Sequence, residues 1–194
     1  MKKIIAITGG IGSGKSLAAT FLRQAGYNVV SCDEITAEMY NKRRVKKEIA
    51  KIFPSATSGK IFCRVDKKAV ASQAFEDDGK RVRLNSFLHP LIIDKAIKRA
   101  KKGSGDLAFI EIPLLFESGA EDRFDGVIVI VRDKNMRIDS VKNRSGLNEE
   151  EILKRMEKQL DYDKADLDKY TVIKNGESKD DLKEKILSAA KIFL

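Results

Sequence analysis

Gly9-Gly10-Ile11-Gly12-Ser13-Gly14-Lys15-Ser16 follows the apolar run Ile4-Ile5-Ala6-Ile7 and precedes Leu17-Ala18-Ala19-Thr20-Phe21-Leu22, which has helical spacing. A strand, a glycine-rich turn and a helix in that order make a phosphate-binding loop. The glycines let the backbone curl until successive N–H groups face one anion, and the following helix adds the positive end of its dipole. The spacing G-x-x-x-x-G-K-S assigns Lys15 to the β- and γ-phosphates of a nucleotide and the Ser16 hydroxyl to Mg²⁺. Glycine-rich turns also join ordinary strands to helices. The complete match in its strand-loop-helix setting separates this stretch from them. The cofactor-binding positions it nominates are Gly10, Ile11, Gly12, Ser13, Gly14, Lys15, Ser16 and Leu17.

The 194 residues suffice for one sizeable core, and a single domain with an insertion is expected. A composition 42% hydrophobic and 35% charged is that of an ordinary globule with a charged surface. Met1-Lys2-Lys3 resembles the start of a signal peptide, but the apolar run after it reaches Gly9 too soon for export, and no stretch approaches membrane-spanning length. A cytoplasmic protein without a membrane partner is expected. Cys32 and Cys63 are far apart and in no C-x-x-C pair, so reduced thiols are expected rather than a zinc site or a disulfide. The net charge of +9 suits a nucleic acid or a small anion. Aromatic residues are few and dispersed and no recognition signature accompanies the charge, so a small anionic substrate, and no nucleic acid, is expected.

Working outward, residues 3–8 read as a strand buried on both faces, and a helix from Lys15 to Ala25 ends at Gly26. Residues 27–31 are a second strand, so Asp33 falls at the same sheet edge as the loop. From Ile35 to Lys102 no further clear strand is seen. Helical patterns at 34–53 and 66–76 flank the polar turn 55–59, and a third covers 79–102, which Pro90 should kink or break after Leu88-His89. Residues 106–113, 126–131 and 170–173 are strands three to five. Their ends collect Glu111 with Pro113, Arg132-Asp133 and Asn175-Gly176 at one edge. Helices at 134–145 and 149–160, the second opened by a capping box of Asn148 and Glu151, read as a cation-bearing lid with Arg137 and Arg144 on one face and Arg155 from the partner helix. A solvated charged helix pair is the alternative. Residues 179–193 form a closing amphipathic helix.

Several residue types fit chemistry at that edge. A carboxylate beside a phosphate loop can serve as a general base or orient an acceptor hydroxyl, and Asp33 fits that role; an aspartate ahead of a helical run is also a common N-cap. Glu111 ends a buried strand, where an unpaired carboxylate would be costly and an acid holding Mg²⁺ is expected. A lone histidine such as His89 is more often a packed residue than a catalyst. Arg132 can pair with a nearby acid or meet adenine or phosphate.

Taken together, Thr8 through Ser16, Asp33, His89-Pro90, Pro113-Leu114-Leu115-Phe116-Glu117, Arg144 with Gly146-Leu147, Arg155, and Ile173 with Asn175-Gly176 resemble the dephospho-coenzyme A kinases in order along nearly the whole chain. The resemblance implies an α/β P-loop kinase fold, with a five-stranded parallel sheet flanked by helices, a helical substrate-binding insertion and a helical lid. One domain spans 1–194, divided into a core (about 1–34, 104–133 and 168–194), a CoA-binding region (about 35–103) and the lid (about 134–167). The implied reaction transfers the ATP γ-phosphate to the ribose 3′-hydroxyl of dephospho-CoA, the last step of coenzyme A synthesis, with Mg²⁺. Asp33 would be the base, Lys15 and Arg144 catalytic cations, Ser16 and Glu111 the metal residues, and Asn175 a residue near the adenine. His89, Lys67, Pro113 and Leu115 would meet the substrate, and a monomer is expected. Rival readings are another small-molecule or nucleoside monophosphate kinase and a non-catalytic ATP-binding module. Four positions depart from the family's usual pattern: Ser31 where an acid is frequent, Lys67 for an arginine, Glu111 for an aspartate and Ser140 for a lid arginine.

Overall fold

A computed structural model describes residues 2–59, 64–176 and 178–194. Cys63, one of the two thiols read in the sequence, lies outside the described residues. Among them the chain forms strand β1 (Lys3–Thr8), helix α1 (Lys15–Gln24), β2 (Asn28–Ser31), α2 (Cys32–Met39), α3 (Arg43–Ile52), β3 (Thr57–Ser58), β4 (Arg64–Val65), α4 (Lys67–Glu76), α5 (Asp78–Lys102), β5 (Leu107–Glu111), β6 (Gly126–Val131), α6 (Lys134–Ser145), α7 (Glu149–Glu157), β7 (Thr171–Lys174) and α8 (Lys179–Ile192). Two compact units divide it, one of residues 1–31 and 97–194, the other of residues 32–96.

The first unit holds a parallel five-stranded sheet in the order β2-β5-β1-β6-β7. A parallel sheet needs both faces covered, and the sequence supplies the required run: Ile4, Ile5, Ala6 and Ile7 of β1 and Leu107 to Ile110 of β5 are all buried. Helices α1 and α8 pack on this sheet, where Ala18, Leu22, Leu182, Ile186 and Ala190 join Ile5, Ile7, Phe109, Ile128 and Ile130 in one core. In-register pairing brings strand ends together. Ile7 lies beside Glu111, Ser31 also beside Glu111, and Thr8 beside Val129. The loop after β1 and the carboxylate ending β5 therefore share one edge, as the strand order demands.

The second unit is mostly helical. The apolar stripe Val45, Ile49 and Ile52 of α3 is buried, while its other face carries Arg43, Arg44, Lys47 and Lys51. Three sequence expectations change here. The pattern read as one helix over 34–53 is two, because the chain turns at Tyr40-Asn41-Lys42 between α2 and α3. The region expected to lack strands holds the short antiparallel pair β3 and β4. Two-residue strands carry too little periodicity to be seen in sequence. Helix α5 also runs unbroken through Pro90. Pro90 and Ser86 are exposed, so the carbonyl that loses its donor can turn to water, while buried Leu84, Leu88, Ile92 and Ile93 hold the helix on both sides of the proline. Among the described residues no helix is long and apolar enough to cross a membrane.

Candidate active site

The loop between β1 and α1 is held from below by its own chain and from the side by other segments of the first unit. Gly14 caps α1 with φ of 102°, and Gly12 has φ of 76°. Only glycine occupies this left-handed region without strain, and space forbids a side chain as well, since a Cβ at Gly12 would meet the Arg137 carbonyl at 2.5 Å. Ser13 N donates to Gly10 O at 3.1 Å and closes the turn. Asn175 Nδ2 donates to Ser13 O at 2.7 Å, and Asn175 N to Val131 O at 2.8 Å. Asn175 thus fastens the middle of the loop to the ends of β6 and β7. Arg132, the first residue after β6, has a buried Nε without a hydrogen-bond partner.

Lys15 is buried, and its Nζ donates to Gly10 O at 3.0 Å. Ser16 lies in the first turn of α1, and its hydroxyl donates to Glu111 Oε1 at 2.6 Å. Glu111 is 5% exposed. A carboxylate of that burial with a neighbouring hydroxyl is a pair of hard oxygen donors at the positive end of a helix. Among the described residues no group of three or more His, Cys, Asp or Glu could hold a metal by itself. Two protein oxygens with the rest left to phosphate and water are what Mg²⁺ uses at nucleotide sites, so Ser16 and Glu111 fit that ion.

The segment after α7 contributes residues that sequence reading passed over. Gln159 Oε1 accepts from Ile11 N at 2.7 Å, and Leu160 N donates to Glu117 Oε1 at 2.7 Å. Tyr162 is buried, and burial of its hydroxyl pushes the phenol up to about 12. Glu117 was legible as the last residue of Pro113-Leu114-Leu115-Phe116-Glu117, but its partner Leu160 N is a backbone group with no sequence signature. Pro113 is half-buried on that turn, and Leu115 is fully buried, its carbonyl accepting from Ser118 Oγ at 2.7 Å.

Helices α6 and α7 form a small pair with the expected capping box, both halves present between Asn148 and Glu151. Their shared core is Ile138, Val141 and Ile152, against which Ile11 of the loop also packs. Arg137 is 6% exposed and its Nη2 meets Asp163 Oδ2 at 2.9 Å, whereas Arg144 and Arg155 are exposed. Arg137 and Arg144, seven apart, are placed differently because the first turn of α6 lies against Gly12 and the last runs out to the Gly146 turn.

In the second unit, Asp33 is exposed in the first turn of α2. It is the second residue of that helix, and among the described residues its side chain caps no backbone N–H, so the N-cap alternative finds no hydrogen bond. Lys67 is exposed with its ammonium 5.5 Å from the Tyr40 ring centre. His89 is half-buried within α5, and burial holds its imidazole below the usual histidine range.

Comparison with known proteins gives a consistent picture. The family model described as dephospho-CoA kinase matches residues 3–181. A dephospho-CoA kinase from Thermus thermophilus is 35% identical over 186 residues, covering 96% of this chain and 89% of the relative. A crystal structure from Thermus thermophilus superposes with a TM-score of 0.85 at 34% identity, covering 100% of this chain and 98% of that one. A dephospho-CoA kinase from Campylobacter jejuni superposes with a TM-score of 0.69 at 27% identity over the full length of both chains.

Proposed function

The chain belongs to the dephospho-CoA kinase family, and from that premise we propose how its residues divide the work of moving the γ-phosphate of ATP to the ribose 3′-hydroxyl of dephospho-CoA. The observation that carries the reading is the pairing of Ser16 with Glu111 at 2.6 Å beside a loop whose lysine is buried. Loop N–H groups and the α1 N-terminus hold the phosphates, and Lys15 exchanges its bond to Gly10 O for the β- and γ-oxygens. Ser16 and Glu111 are the residues that would hold Mg²⁺. When bound, the ion neutralises charge on the phosphates.

Asp33 accepts or orients the 3′-hydroxyl proton. Its exposure, its freedom from any cap bond and its place two residues after Ser31, the strand partner of Glu111, support that role. Arg144 is the mobile lid cation, free in charge to meet phosphate when α6 and α7 approach it. Arg137, buried and ion-paired, is the fixed one. Asn175 sets the loop at the adenine end. Residues about 35–103 carry the substrate surface, with Lys67 and His89 on it. Pro113 contributes from the turn after β5, and Leu115 anchors that turn from inside. The working unit in this reading is one chain in the cytoplasm, with neither membrane nor nucleic acid as partner.

Incubation with ATP, Mg²⁺ and dephospho-CoA, followed by mass measurement, tests it. The product expected is coenzyme A, heavier than the acceptor by one phosphoryl group, with one ADP for each. Release of ADP without that product, or faster transfer to a nucleoside monophosphate, overturns the assignment.

A further inference from the structure

An enzyme that gives a phosphoryl group to an alcohol must keep water from taking it. The γ-phosphate end of the cradle can be located on the loop, because the Lys15 ammonium, which serves the terminal phosphates, lies 3.0 Å from Gly10 O. Whatever stands on Gly10 stands at that end. Tyr162 does: a Cβ at Gly10 would lie 3.4 Å from Tyr162 Cδ2 and 2.7 Å from Arg137 Nη1.

The wall is closed and supported. Tyr162 is 7% exposed, and its hydroxyl, Thr8 Oγ1, Ser13 Oγ and Arg137 Nε are all shut off from solvent. Phe116 backs the tyrosine with ring centres 6.1 Å apart, and Tyr170 backs Phe116 at 5.2 Å. Three bonds fix the segment that carries it: Gln159 to Ile11 N, Leu160 N to Glu117, and Asp163 to Arg137. A hydroxyl pushed up to about 12 also leaves the ring uncharged beside phosphate.

We propose that Tyr162 is a positioning residue whose ring walls the γ-phosphate end of the loop against water, so that ATP is spent on the alcohol acceptor and not on hydrolysis; this rests on the kinase reading above. The wall acts through bulk and dryness and forms no bond to the transferred group. It is separate from the catalytic cations because it governs where the phosphoryl group goes and not how fast it leaves.

The test measures ADP release from ATP and Mg²⁺ without acceptor, and coenzyme A formed per ADP with dephospho-CoA present. Tyr162→Ala should raise acceptor-free ADP release several-fold and lower product per ADP, and Tyr162→Phe, which keeps the ring, should restore both. A folded Tyr162→Ala with unchanged acceptor-free release overturns the proposal, as does Tyr162→Phe leaking as much as Tyr162→Ala. Should Tyr162→Ala fail to fold, Tyr162→Leu stays apolar in the core but gives up much of the ring's bulk and reach over Gly10; a leak above wild type supports the wall and none overturns it. A wrong acceptor assignment shows differently, as absence of product in the wild type, while the acceptor-free comparison still reads the wall.

Discussion

The Ser16 hydroxyl donates to Glu111 Oε1 across 2.6 Å, joining the first turn of α1 to the last residue of β5. Ser16 is tied to the loop by sequence and Glu111 to it by sheet register, since Ile7 and Glu111 are strand partners. In the metal role proposed for Glu111, Glu111→Gln keeps size and an acceptor oxygen but loses the charge that would attract the ion. The Mg²⁺ needed for half-maximal turnover should rise by about 10- to 100-fold, the usual effect of altering an outer-shell partner. A Mg²⁺ titration at saturating ATP checks this, and an unchanged midpoint removes Glu111 from the metal site.

Asp33→Asn should lower turnover by about 10²- to 10⁴-fold with little change in ATP affinity, because it removes a proton acceptor and leaves the phosphate loop intact. Its stability cost should stay under about 1 kcal/mol, the loss of one exposed charge in a helix's first turn. Steady-state kinetics and a thermal melt on one preparation read both. A lowered melt with turnover within a few-fold of wild type would return Asp33 to a structural role.

Nucleotide should protect the amides of residues 134–160 from hydrogen exchange. The helix pair has a core of only Ile138, Val141 and Ile152 with their partly buried neighbours, and it exposes Arg144 and Arg155. So few apolar contacts leave it at the low-stability end of the fold, and an anion between its cations relieves their repulsion. Equal exchange with and without ATP would make these helices a fixed charged face.

His89 should make stability depend on pH in a definite direction. Burial depresses its pKa in the folded chain below the ordinary value of about 6.5, so the unfolded chain binds the proton more tightly. The stability it contributes is complete above about pH 6.5 and is lost as pH falls through the depressed folded value. The melting temperature should therefore fall below that pH, and His89→Gln should flatten the slope. A slope that the substitution leaves unchanged assigns the effect to other groups.

The amino-acid sequence alone determined the phosphate loop, the parallel sheet and the residues at its edge. Lys15, Ser16 and Glu111 were legible because each belongs to a local pattern: a fixed spacing of glycines, or a β-branched run ending in an acid. The capping box at Asn148 and Glu151 was legible for the same reason, being a bond between residues three apart. The tertiary structure decided what depends on distant partners. Arg137 and Arg144 look alike seven residues apart, yet packing against Gly12 buries the first and leaves the second exposed. Pro90 reads as a helix breaker, but buried residues on both sides keep α5 whole. Gln159 and Tyr162 carry no motif, and they reach Ile11 and Gly10 only because the chain returns to the loop after nearly 150 residues. Local hydrogen bonds and periodicity write themselves into a sequence; a contact made by closing so long a loop depends on every element in between.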